Sequence, residues 1–195
     1  STVLTFWFGQ LDANGCADET HRSRWFTKDP DLDRMIRERF LELHASVVAG
    51  ERESLLGSAR GRLAYVIVID QLSRNMFRGR PQMFEHDGLA LRAAREGVER
   101  GDDRQLALDE RVFLYMPFMH AEDLASQRRC CELFAGLRDE HEPPLRDRVA
   151  YNLEFAEAHL EIVERFGRFP HRNAVLGRTS TPDEIDFLLR PGSSF

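Results

Sequence analysis

Asp70, Gln71, Arg74 and Asn75 follow directly on the most apolar run of the chain, Val66-Ile67-Val68-Ile69. Arg74 has the planar, two-pronged donor geometry that suits a carboxylate or phosphate, and Gln71 and Asn75 could orient such a group. On a helix, residues four apart share a face, so Asp70 with Arg74 also reads as an ordinary i,i+4 ion pair, with the amides tying down neighbouring loops. A second group, His120, Glu122 and Asp123, has the residue types of an acid–base or metal site. With His171 and Asp70 it would supply a mixed nitrogen and oxygen set suited to a divalent ion. The His-Glu-x-x-His spacing is absent, and on spacing alone acidic residues in the first turn of a helix are the favoured account of Glu122 and Asp123. A third group places Arg168, His171, Arg172, Asn173 and Arg178 around one turn, an anion-binding composition whose alternative role is to satisfy the carbonyl end of the preceding helix.

The candidate ligand-binding residues are therefore Gln71, Arg74, Asn75, His120, Asp123, Arg168, His171 and Arg172. The metal alternative uses Asp70, His120, Asp123 and His171. No residue is assigned a catalytic role, and nothing in the sequence requires a cofactor.

The elements that carry these residues read as helices. Residues 59–75 contain no proline and no late glycine, and no second strand-like run exists to pair with 66–69, so this segment is expected to be a buried helix in spite of its β-branched residues. Residues 2–8 form an apolar segment, helix or strand, closed by Gly9, and residues 10–29 read as a connecting loop plugged by Trp25 and Phe26. Asp29-Pro30 starts a helix through Leu32, Met35, Ile36, Phe40, Leu43 and Val47 that stops near Gly50. Phe84, Leu89, Leu91, Ala94 and Val98 mark the next, running to about Gly101. Residues 106–116 are helical until Pro117 ends or kinks them. His120 opens another helix that turns Leu124, Cys131, Phe134 and Leu137 inward, and Pro143-Pro144 breaks the chain. Leu145–Phe166 is the clearest amphipathic helix, with Leu145, Val149, Asn152, Leu153, Ala156, Leu160 and Val163 on one stripe and Glu154, Glu157, Glu161 and Glu164 facing water. His159 on its inward side reads as a hydrogen-bonded core histidine. Gly167 ends this helix, a turn leads into a short helix closed by Gly177, and Thr181-Pro182-Asp183-Glu184 is a capping box for a last short helix. The expectation is an all-α single domain over residues 1–195, with about seven to nine packed helices and no sheet.

Composition narrows the function classes. The 195 residues suffice for one core without metal or disulfide, with 42% hydrophobic and 31% charged residues. A net charge of −6 argues against a general nucleic-acid binder. Lys28 is the only lysine among 27 basic residues, which fits genome composition as readily as anion recognition. Cys16, Cys130 and Cys131 form no C-x-x-C pair, no apolar run approaches a membrane span, and the residues from Ser1 lack the order of a signal peptide. A reduced, cytoplasmic chain is expected, with no membrane or nucleic-acid partner.

Three motifs together, Asp70-Gln71-Leu72-Ser73-Arg74-Asn75-Met76-Phe77-Arg78-Gly79, Met116-Pro117-Phe118-Met119-His120-Ala121-Glu122-Asp123, and Phe166-Gly167-Arg168-Phe169-Pro170-His171-Arg172-Asn173 with Leu176-Gly177-Arg178, resemble the mainly bacterial family filed as domain of unknown function 924. Phe6-Trp7-Phe8-Gly9 and the terminal Pro191-Gly192-Ser193-Ser194-Phe195 fit as well, so the resemblance covers nearly the whole chain. It implies an all-helical fold similar to tetratricopeptide-like superhelices and brings with it no activity, substrate or catalytic residue. Ser73 departs from the pattern, which more often has proline there.

Three functions stand on this reading. The first is a helical binding protein whose polar cleft holds an anionic small molecule or an acidic peptide terminus. The second is a metal-assisted or acid–base hydrolase built on the same residues. The third is a protein-interaction scaffold in which the polar clusters serve the fold alone.

Overall fold

A computed structural model describes residues 2–193; Ser1, and the Ser194 and Phe195 that close the terminal motif, lie outside the described residues. The regular elements are helices, and no strand occurs among the described residues. They are α1 (Thr2–Phe8), α2 (Glu19–Trp25), α3 (Pro30–Val48), α4 (59–76), α5 (Asp87–Arg100), α6 (Leu108–His120), α7 (Leu124–Asp139), α8 (Leu145–Phe166) and α9 (Pro182–Leu188). The chain divides into two compact units. One takes the chain up to Arg78 together with Gln82–Phe118, and the other takes Gly79–Pro81 together with the chain from Met119 on.

In the first unit α4 is the central element, packed against α1, α3 and α5. Val66, Ile67, Val68 and Ile69 are all fully buried, which overrides their β propensity, since burying each such side chain contributes about 1.5–3 kcal/mol. Ile67–Leu72 is wound as a π-helix inside α4, the wider i→i+5 ladder that proteins insert at single turns, often at functional sites. Asp29 caps α3 as expected, accepting the Asp31 and Leu32 amides.

Several expectations are corrected. Residues 10–29 are not all loop: Asp18 accepts the His21 amide and starts α2, whose Trp25 joins a cluster of edge-on rings with Phe8 and Phe113. Pro117 neither ends nor precedes a break, because α6 continues through it to His120. His120 therefore closes α6 rather than opening α7, which starts after the Asp123 cap. On α5 the buried face is Ala90, Ala93, Ala94 and Gly97 rather than the larger Leu89 and Leu91. Gly97 leaves room for Arg62, whose Cδ would lie 2.6 Å from any Cβ added there. On α7, Phe134 and Leu137 turn inward as expected, but Cys130 is buried in place of Cys131 and Leu124 is exposed.

The second unit is built on the antiparallel pair α7 and α8. Val149, Leu153, Ala156, His159, Ile162 and Val163 form the buried stripe of α8, which ends where Gly167 takes a left-handed φ of 68°. The chain then turns through Pro170–Arg172, places Phe169 against Ile162 and Val163, and enters α9 through the complete Thr181 and Glu184 capping box.

Candidate functional site

The polar end of α4 is tied to its neighbours in the first unit. Gln71 Nε2 donates to the fully buried Asp70 carboxylate and lies 3.4 Å from Met116 Sδ. Arg74 Nη1 donates to the Asp70 carbonyl at 2.6 Å and stands 3.3 Å from its carboxylate. The same guanidinium lays both terminal nitrogens on Asp87, at 3.1 and 3.2 Å, with Phe84 beneath it. Burial works against a charged Arg74, and the two carboxylates more than offset it, so its pKa is raised. Asn75 turns elsewhere, donating to Asp33 Oδ1 at 2.7 Å, while Arg78 grips both oxygens of Asp33. Burial pushes the Asp33 carboxyl up, but Arg78 and Asn75 outweigh it and hold the group below its usual value. Gln71 and Asn75 thus do not act as a pair: the π segment sends Gln71 toward α6 and Asn75 toward α3.

In the second unit two carboxylates organise the turn after α8. Glu122 accepts two bonds from Arg178, at 2.6 and 2.9 Å, and the Phe169 amide at 2.7 Å. Burial alone would raise the Glu122 pKa, and these donors bring it below the ordinary range. Glu184 accepts Arg168 Nε and Nη2 at 2.7 and 2.8 Å, the Thr181 amide and the Asn173 amide side chain. Arg168, first among these, holds the Glu184 carboxyl down at about 2. Arg168 also reaches the Thr179 carbonyl, and Arg178 that of Phe169, so these arginines fasten the turn to itself rather than to the end of α8. Asp123 caps α7 by accepting the Ser126 amide at 2.8 Å.

Around the buried Phe169 ring stand His159, with centroids 5.4 Å apart, His171 at 5.6 Å, and the Arg172 guanidinium 4.6 Å from the centroid. His159 is the core histidine expected, bonded through Nδ1 to the Phe155 carbonyl at 2.7 Å. Burial holds its pKa down to about 3, against the raising effect of that carbonyl, and the charges of His120, Arg172 and His171 lower it further. Burial likewise brings His171 to about 4, helped by Arg172, Arg178 and His120 and opposed by Glu122.

Gln71, Arg74 and Asn75 belong to the first unit, and His120, Asp123, Arg168, His171 and Arg172 to the second. Of the latter, His171 and Arg172 stand at Phe169, His120 bears electrostatically on His159 and His171, Arg168 goes to Glu184, and Asp123 serves as a cap. Among the described residues no group of three or more His, Cys, Asp or Glu side chains is arranged to hold a metal ion. Sequence reasoning missed His44, whose buried ring bonds Ser73 Oγ at 2.9 Å, a contact that proline at position 73 could not make. It also missed Arg62, buried and bonded to Asp102, Glu96 and the carbonyls of Ala93 and Leu56. For Arg62 the signal was an arginine on the inner side of an apolar helix.

A family profile described as bacterial protein of unknown function, DUF924, matches residues 3–192. The chain belongs to this family. It is also similar to a solved structure, the protein of unknown function ATU0120 from Agrobacterium tumefaciens, at 40% identity over 88% of this chain and 91% of that one, with a TM-score of 0.78. No curated protein matches it. Among its described residues this DUF924 chain has no helix long and apolar enough to cross a membrane, and none of Cys16, Cys130 and Cys131 is joined in a disulfide.

Proposed function

We propose that this DUF924 protein is a helical binding protein, on the tetratricopeptide-like plan its resemblance implies, and that it holds a small phosphate- or carboxylate-bearing molecule at His120, His171 and Arg172. The observation that carries this reading is geometric. The His171 ring stands 5.6 Å from the buried Phe169 ring and the Arg172 guanidinium 4.6 Å from its centroid, so two nitrogen-bearing groups converge on one ring, with His120 bearing electrostatically on His171. Grouped donors of this kind suit a carboxylate or phosphate. The other candidates contribute less to such a site, because Arg74 and Arg168 each grip a carboxylate of their own unit and Asn75 and Asp123 are engaged in holding helix ends. For those residues the scaffold reading is favoured, with the polar clusters serving the fold.

The test is thermal denaturation of the purified chain against inorganic phosphate and citrate. The midpoint should rise with anion concentration, as binding to the folded state requires. His171→Gln should remove the response, whereas Arg168→Gln should lower the midpoint and leave the response in place. An unchanged midpoint in the parent chain, or an equal response in His171→Gln, would reject the site.

A further inference from the structure

His44 sits on the inner side of α3 with its Nε2 2.9 Å from Ser73 Oγ of α4. Its ring stands edge-on to Phe77, centroids 5.3 Å apart, and lies 5.8 Å from the ring of His86. Two imidazoles from separate segments therefore face each other inside the first unit. The groups around them are few. From α4 comes the Ser73 hydroxyl, and from the turn after it Phe77, which carries the Arg37 guanidinium of α3 at 5.7 Å on its ring. From the turn before α5 come His86 itself and Glu85, whose charge opposes the effect of His86 on His44.

His86 is also where α5 is secured. Its carbonyl accepts the Leu89 amide at 2.9 Å and the Ala90 amide at 3.4 Å. The next residue, Asp87, has its amide on the Phe84 carbonyl and its carboxylate under both prongs of Arg74. The His86 backbone thus belongs to the first turn of α5, next to the residue that Arg74 grips.

We propose that His44 and His86 form an acid-operated latch that keeps the turn 84–87 closed against α3 and α4 while His44 is uncharged and frees it when His44 gains a proton. Like charges at this separation in a poorly solvated place repel strongly. His44 is enclosed on α3, so the half-buried His86 is the partner that yields, moving outward to water together with the turn that carries it. Burial first, and His86 second, hold His44 to about 4, consistent with an imidazole kept neutral while the latch is shut. The proposal is independent of the anion site, which lies in the second unit.

Amide hydrogen exchange of the full chain between pH 7 and pH 5 tests it, reported as protection so that the intrinsic pH dependence of exchange is removed. Protection at the Asp87, Leu89 and Ala90 amides should fall by about tenfold, the loss linked to uptake of one proton across one pH unit, while amides in the middle of α8 keep theirs. His86→Gln, which removes the charge at a half-buried position, should abolish the fall. In the parent chain the side-chain nitrogen resonances of His44 should show a ring that stays neutral in the closed turn down to pH 5, its proton being taken up only on opening. Constant protection in the parent, a loss spread evenly over the chain, a fall that persists in His86→Gln, or a His44 ring already protonated in the closed turn well above pH 5 would each overturn the latch.

Discussion

Arg74 and Asp87, thirteen residues apart, form a two-pronged ion pair at 3.1 and 3.2 Å that joins the end of α4 to the start of α5. Both side chains are largely buried, so removing one partner strands the other charge in a poorly solvated place. Arg74→Gln should lower unfolding free energy by about 3 kcal/mol in urea titration, and Asp87→Asn by less, because Arg74 keeps the Asp70 carboxylate at 3.3 Å. The double variant should lose much less than the sum. Strict additivity would show that the pair contributes no coupling.

Gly97→Ala probes the slot that admits Arg62. An added methyl would meet Arg62 Cδ at 2.6 Å, and that side chain is held in place by Asp102, Glu96 and two carbonyls. Overpacking of this kind costs about 1–3 kcal/mol, against the few tenths that alanine otherwise gains over glycine in a helix. Chemical denaturation should find the variant less stable; a more stable one would mean that Arg62 gives way freely.

Glu184 ties part of the stability of the second unit to its ionised carboxylate. Its carboxyl is held at about 2, by Arg168 first, compared with 4.5 for the group in the absence of these donors. The folded state therefore binds the proton less readily than the unfolded state. The stabilisation is complete above about pH 4.5 and is lost as pH falls toward 2. Glu184→Gln should flatten the stability curve in that window and leave its slope near neutrality unchanged, as followed by circular dichroism melts.

His159 has a consequence of the same sign nearer neutrality. Burial keeps its folded pKa at about 3, far below the 6.5 of a free imidazole, so the unfolded chain takes up the proton first. Stability contributed by the neutral ring is full above about pH 6.5 and declines as pH drops toward 3, by up to about 1.4 kcal/mol per unit. His159→Leu forfeits the bond to the Phe155 carbonyl and should be less stable at pH 7.5, yet lose less on moving to pH 5. An unaltered slope between those values would place the proton uptake at other groups.

Local chemistry was legible in the chain. Asp29, Thr181 with Glu184, and Gly167 mark helix ends because capping involves neighbours within a few residues, and the stripe of α8 repeats with the period of the helix itself. The buried run at 66–69 was read correctly as helix from length and the want of a partner strand. Its π turn was not, since a single widened turn leaves the hydrophobic pattern almost unchanged. The helix at Glu19–Trp25 escaped notice because it is short and buries no residue, so periodicity had nothing to report.

The sequence by itself determined that this chain is all-helical, where most of its helices begin and end, and which family it resembles. The tertiary structure alone decided what its arginines do. Arg78 meets Asp33 across 45 residues, Arg178 meets Glu122 across 56, and Arg168 meets Glu184 across 16. A guanidinium near a turn has the same composition whether it awaits a ligand or grips a carboxylate of its own fold. The difference lies in which acidic group comes within about 3 Å once the helices have packed, a distance set by long-range contacts and not by spacing along the chain.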